Sequence, residues 1–526
     1  MDPASQIRRT AHEYADATAL VVGCHEQTYG ELFDRATRLT NALQAYGVAS
    51  GDRVAMLGEN GIETLEQVAA CALGNYARVT LYSYHSADVN RYLLELTGTR
   101  ALLVQWRLLP ALAPLLKDLE DLLVIGYGAP LPAAPAGSLV YEDLLAAAAT
   151  KPVIVPCRGE DVHIIRFSSG TTGKPKGIYH SIDRWMAYNN EWRWVTPMIT
   201  NRSTYLMPGS IAHLGVAFLW QFLAVGGRFV LMPAFDAGEA LRLIEAYQVT
   251  HTAVAPVMIR DLVDHPDAGT RDLSSLECVM YAGSPIATTT LRRAIERFGP
   301  VMFQLYAQSE VMPITLLQPY QHVLDGDVAD VARLRSAGRG TPNVSLTVRG
   351  EEGEILPTGK VGEIAASSPG QMTGIWHDPE AERARILPDG AILTRDMGYL
   401  DDQGFLFLVD RKDDMIVSGG YNIWPSELEE VIASHPAVID VCVVGVPSER
   451  WGETPRALIV PRATPEPDSA SLERELIELT RKRLGSVKKV TSVELVEELP
   501  RSGAGKLLRS LIKSRFWTDD IRVGGS

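Results

Sequence analysis

Two periodicities alternate along this chain. Short unbroken apolar runs, of the length a buried strand needs, are followed by stretches in which apolar residues recur every three or four positions. Thr28-Tyr29-Gly30-Glu31 reads as a capping box, and Leu32, Ala36, Leu39 and Leu43 then keep helical spacing up to Gly47. A strand is expected over 53–57, a helix over about 62–73, strands over 77–82 and 101–105, and a helix over about 87–96 between them. The pattern resumes with a strand over 163–167 and a helix from about Ile182. Asp236 and Glu239 open a helix carrying Leu241, Leu243 and Ile244, and strands follow over 250–255, 277–281 and 301–305. Alternation of this kind implies right-handed crossovers and a mostly parallel sheet.

The texture changes between 344 and 409, where short strands are broken by Glu352-Gly353, Asp389-Gly390 and Gln403-Gly404, the pattern of a small β subdomain. After Arg411, Pro425 opens a helix with Leu428, Val431 and Ile432, a strand follows over 438–444, and a charged helix runs over about 472–484. The expected class is therefore α/β. A large N-terminal domain (1–411) would hold mostly parallel α/β subdomains plus the small β subdomain, and a small α+β C-terminal domain (412–526) would follow.

Composition narrows the function classes. At 526 residues the chain exceeds one hydrophobic core, consistent with that division. Its net charge of −14 argues against nucleic acid and anionic membrane as partners, while leaving room for a local basic nucleotide site. Cys24, Cys71, Cys157, Cys278 and Cys442 are scattered without metal-ligand spacing and read as thiols of a reducing, cytoplasmic compartment. Arg8 and Arg9 have no apolar run behind them, so no signal peptide is expected, and Gly524-Gly525-Ser526 is not a peroxisomal address. The most membrane-like stretch, 214–235, contains Gln221, Gly226-Gly227 and Arg228 and is expected to be a buried helix and strand, not a span.

The candidate chemistry gathers around 167–181. Ser168, Ser169, Gly170, Thr171, Thr172 and Gly173 precede Lys174 and Lys176, bringing backbone N–H groups, hydroxyls and ammonium groups into one loop suited to a polyphosphate. Composition alone fits a solvated surface loop equally well. It is not a Walker A loop, because Gly170 and Gly173 are two residues apart and Pro175 follows Lys174. Two further loops, Ala282-Gly283-Ser284 and Tyr306-Ala307-Gln308-Ser309-Glu310, follow expected strands, where ligands of open α/β sheets bind. The Trp185, Tyr188, Trp192 and Trp194 cluster reads as packing.

The complete string S-S-G-T-T-G-K-P-K-G resembles the signature of the adenylate-forming superfamily, which includes acyl-CoA synthetases, nonribosomal peptide adenylation domains and firefly-type luciferases. The resemblance runs nearly to the end of the chain. It implies an enzyme that activates a carboxylic acid with ATP to acyl-AMP and pyrophosphate, then passes the acyl group to coenzyme A. Delivery to a carrier-protein phosphopantetheine is the first alternative. A degenerate member that only thioesterifies preformed acyl-AMP is the second.

The same resemblance distributes roles. Ala282, Gly283 and Ser284 would line the nucleotide site. Tyr306-Ala307-Gln308-Ser309-Glu310 is similar to Y-G-x-S-E, with alanine for glycine: Glu310 would hold Mg²⁺, and the Ser309 hydroxyl would touch the α-phosphate. Asp396, in Thr394-Arg395-Asp396, resembles the ribose-binding aspartate of T-G-D, and Arg411 a ribose-contacting arginine. Arg395 stands where the family has glycine, a side chain that either packs outward, crowds the nucleotide or grips something else. Asp413 matches a hinge on which a mobile C-terminal domain turns, and Gly419 and Gly420 a loop lining the thiol channel; by themselves these glycines simply make a turn. Lys506 matches the lysine that bridges the acyl carboxylate and the α-phosphate, although a lone C-terminal lysine reads as a surface group. His213 reads alone as a core histidine, and by resemblance as a gate between acyl pocket and nucleotide. For Asp236, the helix cap competes with the amine-binding role of a similar aspartate in peptide synthetases.

Overall fold

The computed structural model of the chain describes residues 2–131, 135, 137–168, 175–212, 214–462, 469–501 and 507–517. It divides into two compact units, Met1–Leu346 with Ala366–Leu393, and Thr347–Ala365 with Thr394–Ser526.

The first unit holds two sheets. One has eight strands in the order Gly374–Ile375, Lys176–Ser181, Val162–Ser168, Ala77–Thr80, Arg53–Leu57, Ala101–Gln105, Leu123–Tyr127 and Leu139–Val140, parallel from Val162–Ser168 onward. The other has nine, with a parallel centre of Met302–Tyr306, Cys278–Tyr281, His251–Val254, Thr204–Met207, Arg228–Leu231 and Thr18–Val22. Alternation along the strands buries both faces of the eight-stranded sheet. Val54, Leu103 and Ile164 enter one core with helix Ile62–Gly74, while Ala55, Leu102, Val104 and Ile165 enter another with helix Ala87–Thr97. Adjacent parallel strands Arg53–Leu57 and Ala77–Thr80 thus send their following helices to opposite faces, and this opens a crevice at their carboxyl ends.

The local signals act as their chemistry requires. Thr28 caps helix Tyr29–Ala45 by accepting from the Glu31 N–H, and the Glu31 carboxylate accepts from the Thr28 N–H at 2.8 Å. Asp236 accepts from the Glu239 N–H at 2.7 Å and starts helix Ala237–Tyr247, which is the cap reading of this residue. The apolar stretch after His213 is a buried helix, Leu219–Val225, and a strand, Arg228–Leu231; among the described residues no helix is long and apolar enough to cross a membrane. Trp185, Tyr188 and Trp192 are core residues, whereas Trp194 is exposed. A strand the periodicity did not announce, Lys176–Ser181, pairs antiparallel with Val162–Ser168 immediately before helix Ile182–Val195.

A four-stranded sheet, in the order Ser345–Arg349, Gly362–Ser367, Ile392–Leu400 and Leu406–Arg411, with its last two strands antiparallel, falls mostly in the second unit. The rest of that unit is a five-stranded sheet built on the long hairpin of Val438–Ser448 and Gly452–Pro461, packed on helices Pro425–Ala433 and Ser469–Leu484. Arg509 ties it together: its guanidinium holds both oxygens of Glu429, at 2.5 and 3.1 Å, and lies 3.4 Å from Asp414.

Candidate active site

In the first unit, three expected loops leave the carboxyl ends of parallel strands. Ser168 is the last residue of its strand and pairs with Lys176 across the antiparallel connection. Ser169, Gly170, Thr171, Thr172, Gly173 and Lys174, together with His213, lie outside the described residues. Lys176 forms an ion pair with Asp378 at 2.9 Å, and Asp378 in turn caps helix Pro379–Arg383. The Ala381 N–H and then the Lys176 ammonium hold the Asp378 carboxyl below its usual range.

After strand Cys278–Tyr281, Ala282 is buried and its N–H donates to the Val254 carbonyl across the sheet. Gly283 has φ +94 and open space where a Cβ would stand, leaving its backbone free to meet a ligand, and Ser284 is half-buried beside it. Tyr306 ends its strand and accepts from the Ile314 N–H; Ala307 and Ser309 are half-buried, and Glu310 is buried. The Glu310 carboxylate accepts from Arg385 Nη2 at 3.1 Å through Oε1, and its carbonyl accepts from the Met372 N–H at 2.7 Å. A carboxylate in so dry a place needs a cation. Arg385 supplies one, a partner the strand pattern gave no sign of.

Among the described residues there is no cluster of three or more metal-ligating side chains. A lone carboxylate suits Mg²⁺, which dehydrates reluctantly and takes most of its oxygens from phosphate and water. Glu310 fits such a site, and a protein-only metal cage does not.

The second unit brings other expected residues together. Asp396 and Arg411 face each other across adjacent antiparallel strands, with Arg411 Nε 3.2 Å from Asp396 Oδ1. Arg395 has φ +62, the left-handed region that its family counterpart's glycine enters without strain. Its guanidinium grips Asp413 with both oxygens engaged, Nε donating to Oδ2 at 2.8 Å, and this keeps the Arg395 guanidinium charged. The Arg395 backbone N–H donates to Glu363, whose second oxygen accepts from Lys412 at 2.8 Å. Glu363 is buried and was missed, although a carboxylate inside the apolar strand sequence Gly362-Glu363-Ile364-Ala365 was a legible signal. Gly419 and Gly420, at φ +56 and +84, form a two-residue turn joining Ile416–Ser418 to Tyr421–Ile423; a Cβ on Gly419 would strike the Trp451 ring. Lys506 lies outside the described residues.

A family model described as AMP-binding enzyme matches residues 7–376, and one described as AMP-binding enzyme C-terminal domain matches residues 427–506. The chain is 36% identical over 524 residues to the medium/long-chain-fatty-acid–CoA ligase FadD8 of Mycobacterium tuberculosis, covering 96% of this chain and 88% of that protein. It is 33% identical over 520 residues to a feruloyl-CoA synthase of an Amycolatopsis species, covering 98% of each. Among solved structures, the O-succinylbenzoate coenzyme A synthetase MenE of Bacillus subtilis, in complex with AMP, superposes with a TM-score of 0.83 at 26% identity, covering 97% of this chain and 98% of that one.

Proposed function

The chain belongs to the family of AMP-binding enzymes, and from that premise we propose that it is an AMP-forming acyl-CoA synthetase of the cytoplasm. It activates a carboxylic acid with ATP to acyl-AMP and pyrophosphate, then transfers the acyl group to the thiol of coenzyme A. The observation that carries this reading is that relatives aligned over nearly the whole chain, a fatty-acid–CoA ligase and a feruloyl-CoA synthase, share the acid–thiol ligation and differ in the acid.

A carboxylate oxygen is a poor leaving group, and adenylation replaces it with a good one. The chain's own groups divide that work. Ser168 to Lys174 and Lys176 cradle the triphosphate through hydroxyls, backbone N–H groups and two ammonium charges. Ala282, Gly283, Ser284, Tyr306 and Ala307 line the nucleotide, and the Ser309 hydroxyl donates to the α-phosphate. Glu310 holds Mg²⁺, which when bound neutralises developing charge on the phosphates. Asp396 accepts from the ribose hydroxyls and Arg411 contacts the ribose, while Lys506 bridges the acyl carboxylate and the α-phosphate. His213 closes the acyl side against water. Because Lys506 and the thiol channel around Gly419 and Gly420 serve different steps, the chain from residue 412 turns about Asp413 between them. The separate matches to 7–376 and 427–506 support this.

One specific observation favours the degenerate alternative, in which only preformed acyl-AMP is thioesterified: Arg395 clasps Asp413 where the family has glycine. The test is mass-spectrometric detection of acyl-AMP and acyl-CoA from a panel of acids with ATP and Mg²⁺, with and without coenzyme A. Synthetic acyl-AMPs with coenzyme A alone are run beside it. Acyl-CoA from free acid and ATP is expected. Acyl-CoA from preformed acyl-AMP alone would overturn the adenylating step, and acyl-AMP that passes only to a carrier protein would overturn coenzyme A as acceptor.

A further inference from the structure

The crevice at the carboxyl ends of Arg53–Leu57 and Ala77–Thr80 contains a cavity of about 20 Å³, room for one water-sized oxygen. Asn60, Thr64, Gln67, Thr80 and Ser210 line it, and so does Arg78. Arg78 is only 4% exposed, makes no hydrogen bond or ion pair among the described residues, and leaves Nη2 buried without a partner. Nor does an acid among the described residues answer it. The charged and titratable groups acting on Arg78 are the buried Cys71, Arg166 and His163. Glu59, the acidic residue at the cavity rim, is held by Arg107 at 2.5 Å.

Arg166 doubles the problem. Strand alternation puts Ile165 and Phe167 in one core, so Arg166 shares the opposite face with Ile164, which is in register with Arg78. Arg166 is also buried; its Nη1 reaches the Met312 sulfur at 3.0 Å, its guanidinium carbon lies 5.9 Å from the centre of the Trp185 ring, and its Nε has no partner among the described residues. Two guanidinium groups on one buried sheet face, without a carboxylate, repel each other and have lost their water. Such an arrangement persists where a ligand supplies the anion.

We propose that this cavity is the receptor for one carboxylate group, the far end of an α,ω-dicarboxylic acyl substrate, with Arg78 as its direct cation and Arg166 as the second charge behind it. Ser210, Ile211 and Ala212 in its wall precede His213 in the sequence, so the assignment to an acyl substrate rests on the gate role given to that residue above. Asn60 fixes this wall, donating to the Gly209 carbonyl at 2.9 Å and accepting from the Ile211 N–H at 3.1 Å.

The test compares the wild type, Arg78→Met and Arg78→Lys on α,ω-dicarboxylic acids and methyl-terminated acids of matching length, with ATP, Mg²⁺ and coenzyme A. Thermal melting is run in parallel with each acid alone and with acetate. In Arg78→Met the ratio of kcat/KM for ω-carboxyl over methyl-terminated acids should fall by roughly 30-fold or more, with partial recovery in Arg78→Lys. Dicarboxylic acids should raise the wild-type Tm and not that of Arg78→Met, whose own Tm should match or exceed the wild type because a buried unpaired cation is gone. An unchanged ratio, or a lower Tm for Arg78→Met with equal loss on both acid series, overturns the receptor. Protection by acetate with no turnover of dicarboxylic acids overturns its assignment to the acyl substrate. Turnover of methyl-terminated acids alone leaves the ligase reading standing without the receptor. A dicarboxylate-dependent Tm with no adenylate from any acid leaves the receptor without the ligase.

Discussion

His163 and His180 lie inside the first unit, 6% and 0% exposed, and neither ring nitrogen of His180 has a hydrogen-bond partner. Burial, followed by the Arg78 charge for His163 and the Arg166 charge for His180, pulls both imidazoles down to about 3. In the unfolded chain each takes up a proton near pH 6.5, whereas the folded chain does so only near pH 3. Their neutrality therefore leaves stability intact above pH 6.5, and stability falls below it by roughly 1.4 kcal/mol per pH unit for each histidine. Replacing His180 with Phe should remove one such increment from the slope of unfolding free energy between pH 6 and pH 4, read by urea denaturation; an unchanged slope would mean that this imidazole is charged in the folded chain. No sequence pattern marked these residues, because the cost of charging a histidine depends on neighbours from other strands. Glu310, by contrast, was legible from its loop, although Arg385, 75 residues further on, was not.

At the scale of elements, caps and periodicity were read well because their causes are local. The Asp236 carboxylate meets the Glu239 N–H three residues away, which is the whole of a helix cap. Asp236→Ala should cost about 1 kcal/mol in thermal or urea unfolding and leave the preference between amino acids and plain carboxylic acids unchanged. A loss confined to amino-acid substrates would restore the amine-binding role. Strand Lys176–Ser181 escaped because its pairing with Val162–Ser168 is made across residues 169–175, and glycine, lysine and proline around it mask the apolar alternation. The Gly419-Gly420 turn was anticipated as a turn, since two adjacent glycines permit the positive φ that a tight hairpin demands.

Taken as a whole molecule, the chain must perform two steps that need different groups, and Asp413 is the residue proposed to turn between them. Arg395 clasps this carboxylate from a left-handed backbone position. Both side chains are about one-third exposed, so the pair itself contributes at most about 1 kcal/mol, and glycine at position 395 would relieve the backbone strain. Arg395→Gly should therefore shift stability by less than about 1 kcal/mol. It should also raise the rate of thioester formation from acyl-AMP relative to the rate of adenylation, measured as separate single-turnover reactions. Equal effects on both steps would place Arg395 at the nucleotide instead of the hinge.

Sequence by itself determined the α/β class, the order of elements, the adenylate-forming resemblance and the loops proposed to carry chemistry. Each of these depends on contacts within a few residues or on a contiguous motif, and both are written in the string. Tertiary structure alone decided which charges meet: Glu310 with Arg385, Arg395 with Asp413, Arg509 with Glu429, and Arg78 with no partner among the described residues. Electrostatic energy falls with distance in space and rises as water is excluded, and the fold sets both quantities for residues far apart in the chain.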